Sequence, residues 1–586
     1  VDATTPETRP TPADHPDAPP AADGAAGREV RRLADRYWEL TLAAHPTAAT
    51  LLGVHDHDDR IEDLSEAAEA AHREALTGIR AEVATVDPAR LGASDRVTRS
   101  LLLHQLDVGI EAAELRLVEL ASDQMVGPHA ELLMTAPQLT YPEPAHALAA
   151  LERYAQVPRL LDQAVERFRA GAARGRTPAA CVLERSLNSL TQYLRTDLAT
   201  DPFPAAGLPD GWDGADDWRE QVAALVRDQI RPAFERYRDA LRDELAGVAR
   251  ADDRAGWCWL DDGAELYGAV VRGHTTLGRS PQELHDLGRH HTEVVLPAEY
   301  AEVGGRTWGE TDPAAVMARL RSDPALLHRD AEEILRVAID TVARATAAMA
   351  GWFGRLPGSP CEVTPVPDFL AADAPYAYYF PPATDGTRPG TYFINTSDPE
   401  HASRTEAESI AFHEAIPGHH LQIAISQELD ALPDFQRHEG STAYVEGWSL
   451  YAERLADEMG LYSGDLDRLG MLTADSWRSA RLVVDTGLHH LGWSRQQALD
   501  YFAAHTPVPL EQVAPEVDRY LAMPAQALAY KVGQLEIQRV RADAAERLGD
   551  RFDLPGFHDA VLGSGAVTLP VLAELVEAWV AERSAG

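Results

Sequence analysis

The chain has 586 residues, 45% of them hydrophobic, and carries 53 Lys+Arg against 93 Asp+Glu for a formal net charge of −40. That apolar share excludes wholesale disorder, and the charge argues against nucleic acid and anionic membranes as partners, because their phosphates would be repelled. Cys181, Cys258 and Cys361 lie too far apart for a disulfide framework or a thiolate metal site. No run approaches the roughly 18 apolar residues of a membrane span.

Such a length exceeds one ordinary core. The expected organisation is a disordered tail over 1–27, a helical part over 28–370 forming one wall of a cleft, and a catalytic, metal-binding part over 371–586. The tail is rich in Pro, Ala, Thr and Asp and shows no apolar period. Because the chain begins at Val1, a processed leader stays open; a cytoplasmic location is expected, with secretion the alternative. Amphipathic periodicity then predicts helices over Val30–Ala44, Leu64–Val83, Thr98–Leu120, Leu151–Ala170 and Cys181–Leu194. His55-Asp-His-Asp-Asp-Arg60 follows Gly53 without helical phase and reads as a capped turn. After Pro-rich breaks at Pro137–Pro144 and Pro202–Pro209, further helices are predicted over Trp218–Val248, Ser280–Gly304 and Pro324–Phe353. One strand is expected at Thr391–Asn395, with Arg388 before it and Asn395 at its end as candidates for substrate contact. Ser403-Arg-Thr-Glu406 has the form of a capping box opening the next helix.

That helix leads into Ala411-Phe-His-Glu-Ala-Ile-Pro-Gly-His-His-Leu-Gln422. A zinc-binding H-E-x-x-H helix places two imidazoles at i and i+4, with the Glu beside the first as general base. Here Pro417 stands where the second His belongs. On an unbroken helix His419 would lie about 240° round from His413, and His420 about 10 Å further along the axis. Pro417-Gly418 therefore predicts a bulge that returns His419 to the place of an i+4 ligand, with His420 as the alternative. Glu446, on the predicted helix Thr442–Leu455, supplies a third ligand through a helix hairpin, and three protein ligands leave an open, catalytic site. Glu453, one heptad beyond Glu446, is a candidate partner for a ligating His.

Asp485 and His489 stand at i, i+4, where the carboxylate can orient the imidazole. His489 then reads as either an oxyanion donor or a buried, satisfied histidine. Lys531 is the only lysine in the chain. Since Lys and Arg are not interchangeable in a tight pocket, it is a candidate for binding a substrate carboxylate.

The segments H-E-A-I-P-G-H-H-L-Q, from His413, and A-Y-V-E-G-W-S-L-Y-A-E, from Ala443, resemble the bacterial "domain of unknown function 885" family. Likeness extends over most of the chain, including His45–Gly53, Tyr267–Gly288, Arg388–Asn395, Arg481–His489 and Pro524–Gly533. That family is grouped with zincin-type metallopeptidases of the thimet-oligopeptidase and carboxypeptidase Taq kind. The resemblance implies a mainly α, zincin-like helical body with a deep cleft and a small β-sheet beside the metal helix, where an extended substrate adds to the sheet edge. It implies Zn²⁺ on His413, His419 and Glu446, with Glu414 as base, and Tyr530 as the match to the tyrosine that steadies the oxyanion. The expected activity is hydrolysis of amide bonds in short peptides. An amide hydrolase of secondary metabolism and a non-catalytic binding protein are the alternatives.

Overall fold

A computed structural model describes residues 24–367, 371, 375–383 and 388–585. Most of the expected tail lies outside these residues, and the first helix, Ala25–Ala44, already begins at its end. Val30, Leu33, Ala34 and Tyr37 bury one stripe of that helix, the pattern that a 3.6-residue period requires.

The body is mainly helical. The helix expected from Leu151 is split into Pro144–Ala155 and Val157–Ala173, because Pro158 cannot continue a helix already in progress. Trp218–Val248 lies within one long rod, Ala215–Leu225 followed by π-turns at Val226–Ile230 and Leu241–Leu245 around Arg231–Ala240. Ser280 makes a full capping box with Glu283 at the start of Pro281–His290. One apolar cluster, from Ile61 to Leu245, belongs to the N-terminal half alone. The largest cluster runs from Leu33 to Val580 and so draws on residues from both sides of position 370. At its centre the helices Thr442–Glu458 and Ala529–Leu548 cross at Gly447 and Gly533. A Cβ on Gly533 would run into the carbonyl oxygen of Ala443, so backbone contact at this depth depends on glycine. Among the described residues no helix is long and apolar enough to cross a membrane.

A three-stranded sheet comprises β1 (Cys361–Pro365), β2 (Ala377–Phe380) and β3 (Gly390–Ile394), in the order β1-β3-β2. β3 pairs parallel with β1 and antiparallel with β2. Tyr392 and Ile394 alternate onto one face and pack with Ile334, Ala338, Ala411 and Ala415, which docks the sheet on the helix Ala407–Glu414. The expected strand is thus the central one and has no open edge. The edge nearest that helix is β2, a short run between prolines and loops. The expected capping box at Ser403 does not form. Ser403 is bridged to Leu327 and Arg404 N–H donates to Leu326 at 2.8 Å, and a turn over 404–406 separates Ser403 from the helix that starts at Ala407.

Candidate metal centre

Ala407–Glu414 ends just beyond His413. Ala415 leaves helical geometry at φ −102°, ψ −104°, the Ile416–Pro417 peptide is cis, and a new helix opens at His419. Gly418 is required here, because a Cβ would strike the carbonyl oxygens of Phe412 and His413. The indole N–H of Trp448 donates to the Pro417 carbonyl at 2.9 Å and pins the break to the neighbouring helix. As a result the rings of His413 and His419 stand 4.8 Å apart and perpendicular.

Glu446 completes the group. Its Oε2 is 3.6 Å from His413 Nε2 and 3.5 Å from His419 Nε2. Two donors each about 2.0–2.1 Å from one tetrahedral ion stand about 3.3–3.4 Å apart, so these separations fit a shared cation. Oε2 is buried and has no hydrogen-bond partner among the described residues. Burial pushes the Glu446 carboxyl up, but the two imidazoles outweigh it and hold the group well below the usual carboxylate range. Burial also works to lower His413, and the carboxylates of Glu446, Glu453 and Glu414 raise it to about 9 on balance. The centre therefore favours positive charge, which a metal ion held by a two-histidine, one-carboxylate set would supply.

Behind His413, Glu453 Oε1 accepts from Nδ1 at 2.8 Å, and Glu453 Oε2 accepts from Ser409 Oγ at 2.5 Å. This fixes the tautomer and turns Nε2 toward Glu446. His420 is differently placed. Its Nε2 lies 3.0 Å from the Ser359 carbonyl and its Nδ1 2.9 Å from the Tyr379 hydroxyl, so both ring nitrogens are engaged and the ring ties β2 to this segment.

A 310 Å³ pocket is lined by the three candidate ligands and by Glu414, Tyr379, Arg478, Arg481 and Tyr530. The Tyr530 ring stacks 6.4 Å from that of His413, and the Arg481 guanidinium lies over the Tyr530 ring at 4.6 Å. Burial first, then the charge of Glu446, raises its phenol, so the hydroxyl keeps its proton. A larger chamber of 670 Å³ adjoins at Pro381 and Ile423, with Leu51, Leu52, Phe380 and Val445 among its walls.

Several expected site residues lie elsewhere. His489 Nδ1 accepts from the Trp257 N–H at 3.1 Å and Nε2 donates to the Tyr520 carbonyl at 3.0 Å; burial lowers the ring to about 3. It is a satisfied core histidine and cannot reach an oxyanion. Asp485 does not orient it, since that carboxylate accepts from the Tyr267 hydroxyl at 2.5 Å and from the Ala525 N–H. Lys531 is buried against Asp475 and Gln534, and Asp475 is also held by Arg454. The compact ammonium fills a tight site, as its rarity indicated, but its anion is internal and no substrate carboxylate can reach it. Asn395 is engaged by Ala371 and Ser397 and holds loops together. Arg388 stacks 4.2 Å over Phe380 in the wall of the larger chamber, outside the lining of the metal pocket.

The polar pocket residues that sequence reasoning passed over are Tyr378, Tyr379, Arg478 and Arg481. The spacing of the two arginines, i and i+3 on a buried helix, was the available signal. A second group, His55, Asp58 and His146, also comes within metal-binding distance. There the Asp58 carboxylate already faces the buried Arg153 guanidinium at 3.5 Å and accepts from Thr50, so its charge is balanced.

Residues 46–576 match a family described as bacterial protein of unknown function (DUF885). Among solved structures, a Colwellia psychrerythraea protein described as a "putative lipoprotein" superposes with a TM-score of 0.88 at 27% identity, covering 95% of this chain and 99% of that one. A Shewanella oneidensis protein, described as a "putative lipoprotein of unknown function", shares the fold with a TM-score of 0.72 at 17% identity, covering 94% and 100%. No curated protein matches.

Proposed function

The chain belongs to the DUF885 family, and from its candidate metal centre we propose that it is a zinc-dependent hydrolase, best read as a peptidase cutting amide bonds of short peptides with water. The observation that carries this is the convergence of His413, His419 and Glu446 on one point, with Glu414 lining the same pocket. A zinc ion held by those three side chains would supply the charge that activates water and polarises an amide carbonyl.

The protein's own groups account for the remaining chemistry. Glu414 takes a proton from the attacking water and passes it to the leaving nitrogen as the C–N bond breaks, so that one water and one amide become an acid and an amine. Tyr530, protonated and beside the centre, donates to the oxygen that gains negative charge. Glu453 keeps His413 in one tautomer. An extended substrate pairs with the free edge of β2, whose Tyr378 and Tyr379 line the pocket. The 670 Å³ chamber supports a second reading, an amide hydrolase acting on a bulkier non-peptide acyl group.

Digestion of a peptide library, read by mass spectrometry with zinc-loaded and chelated protein, tests the reading. Cleavage that needs the metal supports it, and intact peptides under both conditions overturn the peptidase form. The description of the two structural relatives as lipoproteins favours a location outside the cytoplasm over the cytoplasmic one expected from sequence. Cell fractionation decides between them.

A further inference from the structure

In a chain of net charge −40, an arginine facing a pocket without a carboxylate partner is unusual. Arg478 is such a residue. It lines the 310 Å³ pocket with the three candidate ligands and Glu414. Its Nε is buried without a hydrogen-bond partner, and its only polar contact among the described residues is a long one, 3.5 Å from Nη1 to the Ala474 carbonyl. The guanidinium stands 5.3 Å from the Trp477 ring and 6.0 Å from that of Tyr530. Glu406 is the carboxyl group that feels it electrostatically, yet no ion pair forms between them.

Its neighbour Arg481 is committed through Nε and Nη2, with Nη1 alone left without a partner. That side chain donates to the Tyr520 hydroxyl at 3.1 Å and to Glu516 at 2.9 Å, and it covers Tyr530. Arg481 therefore fixes the tyrosine, while Arg478 keeps donors for a ligand. A guanidinium with donors left over in a partly buried pocket selects a planar anion, which it can grip through two parallel N–H···O bonds. The space between Arg478 and the ligands is at the small end of ligand sites, which run about 300–1,000 Å³, and so seats a group the size of one residue. The larger chamber beyond Pro381 and Ile423, with Leu51, Leu52, Val445 and Ala566 in its walls, suits the apolar remainder.

We propose that Arg478 binds the free carboxylate of the substrate, so that the site takes short peptides and N-acyl amino acids from the carboxyl end and releases one C-terminal residue. This rests on the hydrolase reading for turnover, but the anchor itself is measurable without it. N-acetyl-leucyl-phenylalanine and its C-terminal amide are the probes. With zinc-loaded wild-type protein, kcat/KM for the acid should exceed that for the amide by about 10- to 100-fold, the range for hydrogen bonds to a charged group. Arg478→Met should bring the ratio close to one with zinc content retained, and Arg478→Lys should keep part of it.

Calorimetry on the Glu414→Gln protein reads the same acid-over-amide preference as binding, with no turnover. Tighter binding of the acid that disappears with Arg478→Met supports the anchor. If the wild-type protein binds the acid in this way and never cleaves it, the hydrolase reading falls and the anchor stands. Equal binding of acid and amide overturns the anchor, as does a preference that survives Arg478→Met. A preference lost instead with Arg388→Met also overturns it, because it would place the carboxylate in the larger chamber.

Discussion

Replacing Glu453 tests whether the layer behind His413 does what its geometry implies. Its carboxylate, 1% exposed, accepts from His413 Nδ1 at 2.8 Å and from Ser409. A hydrogen bond to a charged group is worth about 1.5–3 kcal/mol, or roughly 10- to 100-fold in an equilibrium constant. Partners behind a ligating imidazole typically change metal affinity by about the same factor. Glu453→Gln keeps an acceptor for Nδ1 and removes only the charge, so its loss should fall near the lower end. Glu453→Ala leaves Nδ1–H unpaired and frees the ring to rotate, so its loss should reach the upper end. Zinc competition against a chromophoric chelator measures both, and circular dichroism checks that the fold survives. Wild-type zinc affinity in a folded Glu453→Ala protein would refute the reasoning, because the 2.8 Å bond would then be doing nothing for the ligand.

Three further outcomes are expected. Glu414→Gln should retain zinc, seen by elemental analysis, and lose about 10²–10⁴-fold in turnover, the usual share of a general base. His419→Ala should lose zinc while His420→Ala keeps it, and the latter should melt earlier, since it removes two hydrogen bonds worth about 0.5–1.5 kcal/mol each; zinc loss in His420→Ala instead would reverse the ligand assignment. Lys531→Met should act on stability, with a loss of about 1–3 kcal/mol in chemical denaturation, because Asp475 keeps Arg454 but loses its ammonium partner; a large activity loss at wild-type stability would return Lys531 to the substrate.

Where local chemistry decides the outcome, the fold is legible from sequence. A helix opens at Ser280 where one is predicted to begin, held by a capping box with Glu283, and the first helix buries an apolar stripe as its amphipathic pattern predicts. The misses are places where tertiary structure overrides local pattern. Ser403 and Glu406 have a capping spacing, yet a bridge to Leu327 holds Ser403 extended. Ala377-Tyr-Tyr-Phe380 is too short to read as a strand alone and becomes one because β3 supplies its partner. Pro158 was visible, but a proline at the first turn of a helix looks, in sequence, like a proline that one helix tolerates.

The candidate centre shows the same division within a few residues. Pro417 and Gly418 are covalent neighbours of the histidines they position, so the break follows from backbone chemistry. The choice of His419 over His420 to face His413 comes with tertiary contacts, Trp448 on the Pro417 carbonyl and both His420 nitrogens engaged. Lys531 was singled out because it is the only lysine and sits next to Tyr530, but adjacency in a helix is the wrong criterion. Consecutive residues point about 100° apart, so when Tyr530 faces the pocket Lys531 must face something else. Here that is Asp475, 56 residues away in sequence and in contact in space. Arg478 and Arg481 differ by three positions and share a helix face, so both can meet Tyr530. Helical phase relative to a residue already placed in the pocket, rather than rarity, is therefore the sequence property that separates a cation serving the core from one available to a ligand.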